Sequence, residues 1–263
     1  MASDGEVVIN REQPPRLTAF RVTLLIFALA AIFSLPALRG SGRSLDHGAN
    51  LGRFLDRFWP PDFSILPQIF PALIETFQMA VLATAFSAAF SLVIAVAAAQ
   101  NISPRPVVAA ARFGLNVIRS IPSLIWALLA VAAFGANSLA GVIGLTVYSV
   151  GYLGKFFSDA LESVETGVAE ALRATGANAI QGFQYGIWPH ARPLIWSQTL
   201  WMLEYNVRSA AIVGYVGAGG IGTWLHTYQE YYQWDKFATV LVCILVVVLI
   251  LDFAGSRIRR QCA

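Results

Sequence analysis

From Phe237 to Leu251 the chain reads FATVLVCILVVVLIL, with no charged residue in the run. A helix of this kind is apolar on every side and offers no face to water, so it must lie in a protein core or in a bilayer. Six such segments are read along the chain, at about 17–35, 69–99, 107–134, 139–157, 194–215 and 237–251. Charged residues make up 13% of the 263 positions, and mean hydropathy is +0.62. A soluble domain carries about 25%, so this chain lacks the polar surface to clothe six helices in water. Barrel strands would alternate apolar and polar residues over about ten positions, and these runs do not. The expectation is an all-α, polytopic membrane protein with about six transmembrane helices.

Cations set the orientation, because cytoplasmic loops hold the excess of Lys and Arg. Arg11, Arg16 and Arg21 precede the first span or open it. Arg105 and Arg112 stand at the second connection, Arg173 and Arg192 at the fourth, and Arg257, Arg259 and Arg260 after the sixth. All fall on one side if both termini are cytoplasmic. The stretch 36–68 dissents with four arginines, offset by three aspartates. The division is then a cytoplasmic tail at 1–16, a transmembrane domain at 17–256 and a cytoplasmic tail at 257–263. The core of the first span, Val22 to Leu35, has signal-peptide length. Its preceding region of about 21 residues and the lack of a clean A-x-A site after it favour a retained helix. Cys243 and Cys262, roughly 28 Å apart on a helix, are expected to be free thiols.

Several signatures of chemistry fail on inspection. Gly217, Gly219 and Gly222 satisfy G-x-G-x-x-G, but they follow a helical span rather than a strand. Gly154-Lys155 looks like the end of a P-loop, yet Ser149 stands where the first glycine belongs and Phe156 where Ser or Thr belongs. There is no G-x-S-x-G or H-E-x-x-H, and His47, His190 and His226 are scattered. No catalytic, cofactor-binding or metal-binding residue is expected, and no nucleic-acid partner. Gly217, Gly219, Gly220 and Gly222 are read as a tight turn after the fifth span. Their sharper reading is an outer gate over a transport path. Gly141, Gly144, Gly151 and Gly154 are read as close-packing positions.

The connection at about 158–192 contains EALRATGANAIQGFQYGIWPHARP. Glu170, Ala171, Leu172 and Gly176, with Pro189 nineteen positions after Glu170, resemble the EAA loop of binding-protein-dependent ABC importer permeases. Leu172 replaces the third alanine, and Trp188 replaces the leucine before Pro189. The segment suits a docking element. VAEALRAT favours a short helix, Gly176 can end it in the left-handed conformation, and a second short helix would run until Pro189 breaks it. Leu172, Phe183 and Tyr185 would supply apolar anchors. RSIPSLIWALL from Arg119 and NVRSAAIVGYVGAGGIG from Asn206 are similar to stretches of the phosphonate ABC permease subfamily. The likeness covers about Val107 to Gly222.

That resemblance implies a type I ABC importer permease fold with cytoplasmic coupling helices, in a bacterial cytoplasmic membrane. It also implies a second permease copy, two ATPase subunits carrying ATP and Mg, and an external binding protein. The expected cargo is a phosphonate-like oxyanion, namely phosphonate, phosphite or phosphate; the alternative is methionine or another small amino acid. A membrane-embedded enzyme lacks a visible nucleophile, and a passive channel would work without an ATPase. Ionisable groups at bilayer depth cost from about 2.5 kcal/mol upward and so face protein or water. Arg119, Glu204, Arg208 and Ser209 are the path candidates. Arg119 stands three residues before Pro122, which can kink the third span and free a carbonyl. Glu204 and Arg208, spaced i, i+4, can pair on one helix face. Glu75 can pair with Arg119 or Arg208.

Overall fold

A computed structural model describes residues 19–38 and 46–262. The expected tail at 1–16, with Arg11 and Arg16, lies outside the described residues, as does the side chain of Cys262. The chain divides into two compact units, 1–53 and 54–263. In the first, helix α1 (Ala19–Ser34) exposes its described side chains all round. Helix α2 (His47–Asp56) starts in the first unit.

The second unit carries the core. Its long helices are α3 (Leu66–Ala98), α6 (Ser138–Glu162), α9 (Trp188–Val213) and α11 (Trp234–Cys262). Between α3 and α6 lie α4 (Arg105–Ser120) and α5 (Ser123–Phe134). Among the described residues, four helical stretches are long and apolar enough to cross a membrane: 20–37, 63–98, 138–162 and 234–259. The pair α4 and α5 makes a fifth if counted as one span bent by 86°. The expected span at 194–215 covers most of α9 and the first two residues of the turn after it; α9 is long enough but carries Glu204, Asn206 and Arg208 and is less apolar.

The third expected span is therefore broken. Pro122 has no N–H and disfavours the helical conformation of the residue before it. Ile121 is accordingly extended (φ −97°, ψ 123°), and Pro122 opens α5. The carbonyl expected to be left free is occupied: the Trp126 indole N–H donates to Ile118 O at 3.1 Å.

Helix α6 is the centre of packing, and glycine makes it so. A Cβ on Gly144 would stand 2.6 Å from the Ala127 Cα of α5. One on Gly151 would stand 2.9 Å from Ile118, and one on Gly154 2.6 Å from a Leu115 methyl. The two bent helices thus lie almost on the α6 backbone. A buried apolar cluster of Met79, Ala83, Leu145, Ala210 and Val213 joins α3, α6 and α9. A second, with Ala95, Phe157, Leu161, Ala191 and Ile195, joins the same helices farther along.

These contacts make Gly144→Val a sharp test. The atoms facing Gly144 are backbone and cannot yield, so overpacking should cost about 3 kcal/mol or more. Gly154→Ala, which meets only a leucine side chain, should cost less. Denaturation midpoints of the detergent-solubilised variants check the order.

Candidate functional site

The EAA-like residues form an elbow. Helix α7 (Thr166–Ala174) carries Glu170 and Ala171 exposed and Leu172 half-buried. It ends in a Schellman turn: Gly176 N–H donates to Arg173 O at 3.0 Å, and Ala177 N–H to Leu172 O at 3.2 Å. Gly176 has φ +90°, and a Cβ there would meet nothing. Glycine is needed here for its backbone freedom, not for space. Two residues on, a capping box begins α8 (Ala179–Gln181): the Asn178 and Gln181 side chains and backbone N–H groups bond reciprocally, both at 2.9 Å.

Beyond α8 the helix does not stop. A π-helical turn, Gly182–Ile187, runs straight into α9. The expectation that Pro189 breaks a second short helix is corrected: Pro189 lies in the first turn of α9. The widened π turn leaves the proline ring room that a regular α turn denies it. Phe183, expected as an outward anchor, packs on the core cluster beside Trp188 with ring centroids 6.3 Å apart. Tyr185 is 64% exposed.

Along α9 the structure separates the path candidates. Glu204 is buried and pairs with Arg259 of α11, not with Arg208. Gly255 makes this closure workable, since a Cβ there would collide with the Glu204 carboxylate. The i, i+4 spacing allows the Glu204–Arg208 pair but does not compel it, and a better-buried cation wins. Arg208 is exposed and makes no ion pair among the described residues. Ser209 is buried. Arg119 is half-buried in the last turn of α4, its guanidinium 5.5 Å from the centre of the Tyr152 ring and 3.4 Å from the Asn116 side-chain oxygen. Glu75 takes neither expected arginine; it accepts a hydrogen bond from the Ser138 hydroxyl.

Sequence reasoning missed two groups. The first is a buried polar chain. Ser149 of α6 donates to Asn206 Oδ1 of α9 at 2.9 Å, Asn206 Nδ2 donates to Thr84 of α3 at 2.9 Å, and Thr84 donates to Ala80 O at 2.7 Å. The second is an aromatic seam between α6 and α9. Tyr148 stacks on Tyr205 at 5.5 Å, Tyr205 on Trp201 at 5.9 Å, and Trp201 meets Phe156 edge-on at 5.8 Å. The seam has a sequence signal: Tyr148, Tyr152 and Phe156 are spaced i, i+4, i+8, and Trp201, Tyr205 and Arg208 are spaced i, i+4, i+7.

At the far end of α9, Gly214–Ala218 forms another π-helical turn, with a kink at Val216 and Gly217. Gly217, Gly219 and Gly220 have φ +94°, +85° and +69°, a region open to glycine at little cost. The corner rests on α3 and α6. The Ile221 N–H, opening α10 (Ile221–Glu230), donates to Thr76 Oγ1 at 2.8 Å, and Gly219 lies against Glu75 and Ser138. Gly222 sits on the α9 carbonyl of Ala211 with no room for a Cβ. Beside the corner is an open cavity of about 560 Å³, lined in part by Tyr215, Gly217, Thr223 and His226.

Residues 91–261 match a family model described as "Binding-protein-dependent transport system inner membrane component". The chain is 39% identical over 203 residues to the phosphite transport system permease protein PtxC of Stutzerimonas stutzeri, covering 77% of this chain and 74% of that one. It is 41% identical over 120 residues to the putative cryptic phosphonate transport system permease protein PhnE2 of Escherichia coli K12, covering 46% of this chain and 98% of that one. Among solved structures it is similar to a chain of the inward-facing MetNI methionine ABC transporter, with TM-score 0.69, 25% identity, and coverage of 77% of this chain and 99% of that one.

The ion-pair assignment predicts that Glu204→Ala destabilises the protein by leaving Arg259 unpartnered. The cost should be about 2 kcal/mol, below the 3–5 kcal/mol of a fully buried pair, because Arg259 keeps 26% of its side chain exposed. Arg208→Ala should leave stability unchanged. Chemical denaturation in detergent separates the two.

Proposed function

This chain belongs to the family of binding-protein-dependent transport system inner membrane components, and from that membership we propose that it is the permease subunit of an ATP-driven importer of phosphonate-like oxyanions. The observation that carries the cargo class is the 39% and 41% identity to relatives named for phosphite and phosphonate transport, against 25% to the methionine transporter. Phosphite, phosphonate and phosphate share the tetrahedral, oxygen-rich anion that a planar arginine fork suits.

In this reading two copies of the chain pair across the exposed stripe of α9 that carries Trp201, Arg208 and Ile212. Both termini face the cytoplasm, in a bacterial cytoplasmic membrane. The chain itself holds no cofactor; ATP and Mg are bound by two ATPase subunits. Each grips one elbow, with Glu170 and Ala171 of α7 as the docking surface and Leu172, Gly176 and Pro189 shaping it. An external binding protein delivers the anion to the face that bears Gly217, Gly219, Gly220 and Gly222. Arg208 supports a role in the path because it is an exposed cation with no ion-pair partner among the described residues. Arg119 flanks the same seam. Glu204 serves differently: held by Arg259, it braces α9. ATP-driven closure of the ATPases moves the elbows, tilts α9 and opens the path outward. Nucleotide release reverses the motion and opens it inward.

Reconstituted with its ATPase and binding protein, the wild-type chain should drive ATP-dependent uptake of phosphite or a phosphonate and not of methionine. Glu170→Ala or Gly176→Val should reduce uptake at least about tenfold, through a lost docking contact or a strained αL position, while membrane insertion persists. Arg208→Ala should impair uptake with ATPase assembly intact. Labelled-substrate flux and co-purification of the ATPase read these outcomes, and methionine uptake alone would overturn the cargo class.

A further inference from the structure

Tyr148 and Tyr205 hold their hydroxyl oxygens 2.8 Å apart across the α6–α9 seam. Two phenols in contact share one hydrogen bond and leave one O–H unused. Which one is spare follows from burial. Tyr148 is 8% exposed, and its hydroxyl has Tyr205 at 2.8 Å and Tyr152 beyond it as hydrogen-bonding neighbours. Were Tyr205 the donor, the buried Tyr148 proton would have to turn from the 2.8 Å contact to Tyr152, and left unsatisfied it would cost about 1–3 kcal/mol. With Tyr148 as the donor of this bond, the O–H of half-buried Tyr205 is the free donor at the seam.

The surroundings give that donor a purpose. Tyr152 lies tilted against Tyr148 at 4.9 Å, adding a third phenol, and carries the Arg119 guanidinium over its ring at 5.5 Å. Arg208 follows Tyr205 by three positions, on the same side of α9. Its exposed guanidinium has no ion-pair partner among the described residues. A neutral O–H donor thus joins, through Tyr148 and Tyr152, to the Arg119 guanidinium on one side, with Arg208 three positions along its own helix on the other. Across the seam, the nearest carboxylate on α9, that of Glu204, is committed to Arg259.

We propose that Tyr205, oriented by Tyr148, is an anion-binding and specificity-determining residue that donates a hydrogen bond to a tetrahedral phosphorus oxyanion passing between Arg208 and Arg119. This rests on the oxyanion-importer reading above. A transport site must bind strongly enough to admit its cargo and weakly enough to release it. A phenol meets that requirement better than a third cation would: it gives direction to the anion without adding a charge that holds it. The donor also discriminates, since it rewards cargo presenting an oxygen at that point and offers nothing to an apolar side chain there.

The test uses the complete complex of permease, ATPase and binding protein in proteoliposomes, with phosphite, methylphosphonate, phosphate and methionine as labelled cargoes. Tyr205→Phe keeps the ring stack and removes only the donor. It should lower oxyanion uptake about tenfold, the effect of losing one hydrogen bond to a charged ligand, with ATP hydrolysis and thermal midpoint retained. Tyr148→Phe leaves the Tyr205 O–H in place and removes only the orienting contact, so it should lower uptake by about threefold, less than Tyr205→Phe does. Tyr205→4-aminophenylalanine, which restores an N–H donor on the same ring, should recover transport. Wild-type uptake by Tyr205→Phe, equal losses in the two phenylalanine variants, or no recovery with the amino analogue would each overturn the assignment while leaving the importer reading intact. Uptake of methionine and of none of the oxyanions by the wild-type complex would overturn both.

Discussion

A polar group that leaves water must be answered by another polar group inside the protein, and the helices of this chain are locked together by such answers. In an apolar medium, dispersion alone lets smooth helices slide, because lipid tails pack nearly as well as leucine does. Here the slide is stopped at separate levels. Glu75 accepts from Ser138 between α3 and α6; Thr84, Asn206 and Ser149 tie α3, α9 and α6; Glu204 fastens α9 to α11; and Arg112 of α4 pairs with Glu162 of α6 while reaching Ala98 O of α3 at 3.0 Å. Each contact is worth little alone. An uncompensated partner is costly, so together they permit one register and penalise the others.

Small residues make those answers reachable. Short side chains such as serine and threonine bridge only helices that approach closely, and the glycines of α6 allow that approach. Gly255 does the same for the Glu204–Arg259 pair. The glycine corner uses both properties of the residue in one turn: positive φ at Gly217, Gly219 and Gly220, and absence of volume at Gly214 and Gly222.

Helical architecture was legible because its signal is local: an apolar run reads as a span whatever it later packs against. Gly176 was legible for the same reason, as a helix stop at a fixed distance from Glu170. The pairings were not, because they are set by tertiary approach. Asn206 meets Ser149 and Thr84 across separations of 57 and 122 residues, and nothing near Asn206 in the chain announces either partner. The Glu204–Arg208 spacing was a local pattern that a distant cation overrode. Pro122 and Pro189 show the limit from another side. Both are prolines in helical surroundings, yet one sits at an 86° bend and the other at no break. The difference lies in whether a π turn precedes the ring, which composition does not announce. The phenol seam was readable from its i, i+4 spacing, but its chemistry depends on two hydroxyls from different helices meeting.

The two π turns bracket α9, so helix continues from Ala179 as far as Tyr215, where the kink at Val216 and Gly217 ends it. At about 1.5 Å per residue the 26 residues of α9 alone reach roughly 39 Å. The elbow with Gly176 is built on one tip of this shaft and the glycine corner on the other. A stiff shaft cannot tilt at one tip and stay still at the opposite one, so in the proposed importer a movement of the elbow is carried to the foot of the glycine corner.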